Sequence, residues 1–150
     1  MIGMLGPGPE AEDVGQATFI RFYRSLERFR EEASVGTYLT RIAINLSINE
    51  IRRRKRLKRY FFSKSDTTIE NIPDQTDRRE KNEMKKIIQQ GIQELEPKFR
   101  AVLVLRLIDG YSTEETAQIL KLPTGTVLSR LARAQMKLKV ILTPLYKGRI

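Results

Sequence analysis

The sequence predicts an all-α fold built from two small helical domains joined by a flexible linker. Three observations predict it. Apolar residues recur at spacings of three and four through most of the chain, and no segment alternates with the period of two that a strand needs. The stretch DTTIENIPDQTDR (residues 66–78) is polar, contains Pro73 and lacks helical period, so it divides the helices into two groups. The length of 150 residues suits one ordinary domain or two very small ones.

Taken in order, residues 1–10 open the chain with Gly3, Gly6, Gly8, Pro7 and Pro9 and are expected to be a disordered leader. From Ala11 the pattern turns helical. Phe19, Phe22, Tyr23, Leu26 and Phe29 form a stripe expected to face a core. After a break at REEASVGT, with Gly36 its weakest helical point, a second helix is expected over about 37–60. It carries two apolar stripes, Leu39, Ile42, Ala43 and Leu46 on one side and Ile44, Ile48 and Ile51 on the other. Two stripes mean packing on two sides, which puts this helix at the centre of a bundle spanning residues 11–60.

Residues 61–78 are the expected linker. The second domain, 79–143, starts with a helix over about 79–95. Pro97 suits the first turn of the next helix and Gly110 its C-terminal cap. Ser112 and Glu115 have the spacing of a capping box. Pro123 blocks continuation of that helix, and a last one is expected from about Thr124 to Leu142. Residues 144–150 are left as a tail.

Composition narrows the function. The formal net charge is +10, which points to a polyanionic partner, nucleic acid first and an acidic membrane face second. There is no Cys and no His, so thiol nucleophiles, disulfides, zinc fingers and His-based proton transfer are out of reach. The acids show no ligand spacing and no Ser has a partner base. No catalytic group, metal site, cofactor or small-molecule substrate is therefore expected. No apolar run approaches the roughly 20 residues that span a bilayer, and the first residues lack the pattern of a signal peptide. The expected location is the cytoplasm.

Two stretches carry the chemistry. STEETAQILKLPTGTVLSRLARAQ (residues 112–135) has the anatomy of a helix-turn-helix. Ala117 is small where two helices must approach, and Leu120 and Leu122 bracket the turn. Val127, Leu131, Ala134, Leu138 and Ile141 form an inward stripe on the second helix. Thr126, Ser129, Arg130, Arg133 and Lys137 are left outward, with hydroxyls that suit phosphate and Arg forks that suit guanine. An ordinary solvated helical hairpin is the plainer reading. On the helix from Thr37, Arg41, Asn45, Asn49 and Arg52 line one polar stripe, which suits adenine edges and phosphates or is simply solvated. It ends in the acid-free run RRRKRLKR (residues 52–59), which is a phosphate clamp, a localisation signal or an unstructured tail.

The first of these stretches resembles region 4.2 of the sigma-70 family of RNA polymerase subunits, in its extracytoplasmic-function (ECF) branch. ELEPKFRAVLVLRLIDGYS (94–112) resembles region 4.1. AEDVGQATFIRFYRSLERFR (11–30) and TYLTRIAINLSINEIRRRKR (37–56) resemble the two helices of region 2. The resemblance covers about residues 11–60 and 93–140. It implies a transcription-initiation subunit that makes two promoter contacts.

The helix-turn-helix would bind the −35 element through Thr126, Ser129, Arg130, Arg133 and Lys137. Region 2 would recognise and melt the −10 element through Ser34, Thr37, Tyr38, Arg41, Asn45, Asn49, Arg52, Arg53 and Arg56. A loop before the Asn helix would hold a flipped base, with Tyr38 either stacking on it or packing in the core. Gln16, Phe19, Arg21 and Arg24 would meet the clamp of core RNA polymerase, with a core role equally open to Phe19. Promoter DNA and core polymerase are the implied partners, and an anti-sigma factor a further one.

The chain departs from the family at several places. Further helices usually precede AEDV, so a shortened region 2 or a truncated or misassigned start is expected, with low stability for residues 11–60 in isolation. Gly15 and Ala17 replace a larger apolar residue and an acid, Lys121 replaces a Gly at a turn, and Leu128 and Ala132 replace residues that are often Lys and His. The alternatives are a stand-alone helix-turn-helix regulator and a degenerate sigma remnant.

Overall fold

The computed structural model describes residues 2–62 and 79–147. Its elements are α1 (Ile2–Leu5), α2 (Pro9–Ser25) with a 3₁₀ turn at Leu26–Arg28, α3 (Val35–Phe62), α4 (Arg79–Glu94), α5 (Pro97–Leu103) running into a π turn at Val104–Ile108, α6 (Thr113–Leu120) and α7 (Thr124–Lys147). Among the described residues there is no strand, and no helix is long and apolar enough to cross a membrane.

The local signals in the second half act as the chemistry requires. The Ser112 hydroxyl accepts from the Glu115 amide at 3.0 Å and the Glu115 carboxylate accepts from the Ser112 amide at 2.7 Å, closing the capping box of α6. Pro97 stands in the first turn of α5. Gly110 takes φ 76°, where a side chain would be strained. Lys121 takes φ 53° at the end of α6, the left-handed conformation that glycine usually fills.

The linker and tail boundaries shift. α3 runs two residues past Tyr60 and α7 runs through Pro144 to Lys147. Residues 63–78 and 148–150 lie outside the described residues.

The expectation of a disordered leader is overturned. Met4 is fully buried and Leu5 nearly so, in one core with Ala11 and Val14 of α2, Ile44 and Ile51 of α3, Ile92 of α4, Phe99 of α5 and Ile119 of α6. Burying two such side chains contributes about 3–6 kcal/mol of transfer free energy, which outweighs the Gly and Pro content around them. The approach is close. A Cβ on Gly3 would stand 2.8 Å from a Val104 methyl carbon.

Hydrogen bonds fix this segment. The buried Arg100 guanidinium donates to the Met4 carbonyl at 2.9 Å, the Leu95 carbonyl at 2.9 Å, the Gln93 side-chain oxygen at 3.2 Å and the Gln93 carbonyl. Burial pushes its pKa down to about 10, helped by the nearby charge of Arg54. Arg54 donates to the Leu5 carbonyl at 3.1 Å and pairs with Glu50 and Glu10. The two modules therefore share a core that α1 helps to close.

The aromatic stripe of α2 is a second correction. The buried face of α2 is Ala11, Val14 and Thr18, and the helix stops at Ser25. Phe19, Tyr23 and Leu26 face solvent, with Tyr23 76% exposed. Phe22 and Phe29 instead turn towards Tyr38 of α3, with ring centroids 5.9 and 5.1 Å from it. Periodicity gives the residues that share a face but not which face the rest of the chain covers.

Candidate nucleic-acid interface

The helix-turn-helix is assembled as the pattern predicts. Val102, Ala117 and Val127 form its buried centre, with Leu120, Leu122 and Leu131 packed around them. Val127 and Ala134 of α7 are fully buried, and Leu138 and Ile141 are half-buried on the same face. Ser129, Arg133 and Lys137 are exposed, and Thr126 and Arg130 half-buried at the rim. Lys137 also reaches back to Glu96 at 3.4 Å and over the Phe99 ring at 5.3 Å, so it is partly tethered to α5.

On α3, Asn45, Asn49, Arg52 and Arg56 are exposed along one face. Asn49, Arg52, Lys55, Arg56 and Arg59 line an open groove. This is a continuous cationic surface with two amide side chains at its upper end. It can hold a phosphate backbone while Asn reaches base edges.

The other residues expected here are engaged within the protein. Arg41 donates to the Gln118 carbonyl at 2.6 Å and the Ile119 carbonyl at 3.3 Å, at the C-terminus of α6 where the helix dipole favours a cation. Beside it the Thr40 hydroxyl meets the Tyr111 hydroxyl at 3.0 Å. Arg53 forms two hydrogen bonds with Glu50, at 2.9 and 2.7 Å. That hydrogen bond is the main reason the Glu50 carboxyl stays below the usual carboxylate range. Thr37 is buried, and Ser34, exposed, caps α3 by accepting from the Thr37 amide at 3.1 Å. Tyr38 belongs to the cluster with Phe22 and Phe29. In this arrangement it is a packing residue, not a free stacking surface.

Gln16, Phe19, Arg21 and Arg24 are all exposed on α2. Ile20 and Tyr23, which the sequence reading did not select, extend the same surface at 53% and 76% exposure. The spacing of Tyr23 with Phe19 is the signal the sequence offers, and there it points to a core stripe; no spacing signal marks Ile20.

The comparisons agree with this geometry. Residues 1–57 match the family model for sigma-70 region 2, and residues 85–138 match that for sigma-70 region 4. The chain is 34% identical over 146 residues to the RNA polymerase sigma-H factor of Pseudomonas aeruginosa, covering 92% of this chain and 76% of that one. The chain belongs to the sigma-70 family, in its ECF branch.

A second relative of this sigma factor is the ECF RNA polymerase sigma factor SigW of Bacillus subtilis, 35% identical, covering 91% of this chain and 77% of that one. In fold it resembles the sigma factor RpoE solved in complex with the anti-sigma factor NepR from Bartonella quintana. That match has TM-score 0.68 and 22% identity, and covers 94% of this chain and 86% of that one. It also resembles CnrH solved in complex with the cytosolic domain of CnrY, with TM-score 0.62, 25% identity, and 93% and 75% coverage. This sigma factor acts in transcription initiation. The region 2 match includes residues 1–10, in line with the packing of α1.

Proposed function

We propose that this sigma factor divides promoter opening between its two modules. The helix-turn-helix holds duplex DNA at the −35 element through Thr126, Ser129, Arg130, Arg133 and Lys137. α3 holds the −10 element through Asn45, Asn49, Arg52 and Arg56, with Lys55 and Arg59 extending the phosphate track. The observation that carries this reading is the open groove on α3. It joins Asn49 to four cations on one face, while Arg41, Arg53, Thr37 and Tyr38 are held by protein partners.

Those four residues shape the site in this reading. Tyr38 fixes the start of α3 against Phe22 and Phe29, and Thr37 with Ser34 caps it. Gln16, Phe19, Arg21 and Arg24, with Ile20 and Tyr23, form the surface for the polymerase clamp. Exposed aromatics ringed by Arg suit a protein partner better than solvent. The polymerase performs the nucleotide chemistry, and this chain directs it. Its place of action is then the cytoplasm, where promoter DNA lies. Because RpoE and CnrH were solved with anti-sigma partners, an anti-sigma factor is proposed for this chain as well.

The test compares two variant pairs in holoenzyme. Arg130→Ala and Arg133→Ala weaken binding to upstream duplex. Asn45→Ala and Asn49→Ala leave that binding intact and reduce permanganate reactivity of opened thymines near the start site. A common defect in all four would contradict the division of labour.

A further inference from the structure

Beside the basic flank of α7 lies an apolar stripe that no other described element covers. Leu128 is 54% exposed and Met136 70% exposed. Ala132, between them, is exposed as well. The three stand four residues apart and so share one side of the helix. Ser129 and Arg133, also exposed, follow Leu128 and Ala132 directly in the same two turns. The face that α7 gives to the core is a different one, carrying Val127 and Ala134.

We infer that Leu128 and Ala132 read the C5-methyl groups of thymines in the major groove, and so set the base preference of the −35 contact. This rests on the assignment of α7 as the helix that reads duplex DNA. The charge around the stripe selects the occupant. α7 has no acidic residue from Thr124 to Lys147, and the exposed Arg133 follows Ala132 directly on the border of the stripe. A polyanion fits that border, and the thymine methyl is the apolar group that a base pair presents in the major groove.

Position within the helix supports the choice of residues. Base contacts of a recognition helix come from its first turns, where Leu128 and Ala132 lie. Met136 is about 12 Å further along the axis than Leu128. Ala132 is small enough to let the helix backbone approach the base edges, and Leu128 covers a methyl beside it. Covering one methyl is worth about fourfold in affinity.

The experiment uses holoenzyme formed from the full chain and bacterial core polymerase. Duplexes are first selected from a randomised library. Each thymine of the enriched upstream motif is then replaced singly by deoxyuridine, which removes only the methyl. The expected result is a loss of about fourfold at one or two positions for the wild-type chain. Leu128→Ala and Ala132→Ser should each lose that sensitivity at one of those positions while melting at the same temperature as the wild type.

Indifference of the wild type to every replacement overturns the inference, as does an enriched motif without thymine. Undiminished sensitivity in both variants overturns it too, and so does a variant defect confined to binding core polymerase, because the stripe would then face protein. If no duplex is enriched, the promoter-binding reading itself fails and the inference falls with it. Enrichment without methyl sensitivity leaves that reading intact.

Discussion

The Arg41 guanidinium of α3 donates to the Gln118 carbonyl at 2.6 Å, at the C-terminal end of the first helix of the helix-turn-helix. The contact ties α3 to the helix-turn-helix. It occupies a cation that the sequence pattern groups with Asn45, Asn49 and Arg52. In this arrangement Arg41 is bound to the end of α6.

Arg41→Ala should therefore destabilise the closed arrangement of the two modules. Two charge-assisted hydrogen bonds at a partly exposed site are worth about 1–2 kcal/mol. For a chain of this length that lowers Tm by about 3–6 °C, readable by calorimetry. An unchanged Tm would show that the contact contributes nothing to the fold.

α1 should behave as part of the core. Met4→Ala should cost about 2–4 kcal/mol, because it removes a fully buried side chain from a packed cluster. Arg100→Ala should cost a similar amount by leaving the carbonyls of Met4, Gln93 and Leu95 without their donor. Urea denaturation of both variants checks this. Wild-type midpoints for both would return residues 1–10 to the status of a leader.

Lys121→Gly should stabilise the protein by about 0.5–1 kcal/mol. Lys121 adopts φ 53°, which a residue with a Cβ enters at a cost, while glycine enters it freely. The greater chain entropy of glycine in the unfolded state offsets part of the gain. A lower Tm for Lys121→Gly would mean that the lysine side chain makes a compensating contact.

Glu50 gives the fold an acid-sensitive contact. The hydrogen bond from Arg53 lowers its folded pKa below the usual carboxylate range. Its stabilising contribution is therefore complete above the ordinary carboxylate range and disappears as pH falls through the lowered value. Glu50→Gln should be less stable than the wild type near neutral pH, with the gap closing below about pH 4. A gap that stays constant with pH would assign the loss to packing.

Much of the second half was legible in the sequence, and the physical reason is locality. The capping box of Ser112 and Glu115, the turn at Gly110 and the inward stripe of α7 all depend on residues within a few positions of one another. What was not legible depends on distant chain. Gly and Pro around Met4 argue for disorder until Arg100, 96 positions away, binds the Met4 carbonyl. Phe19 and Tyr23 look like core because they share a face, and only the packing of α2 through Ala11, Val14 and Thr18 turns that face outward. Arg41 and Arg53 read as free cations because spacing along a helix does not reveal a neighbouring helix terminus or a competing carboxylate. Asn45 and Asn49 of α3 and Ser129 and Arg133 of α7 kept their expected exposure, whereas Thr126 and Arg130 are half-buried and Lys137 pairs with Glu96.

The most direct test of the account is reconstituted transcription. The protein is mixed with bacterial core polymerase and fragmented genomic DNA from its source, and the 5′ ends of the RNA are mapped. Discrete new starts that share two upstream motifs are expected. Arg133→Ala and Asn49→Ala should each reduce those starts. Absence of new starts together with failure to bind core polymerase would contradict the account.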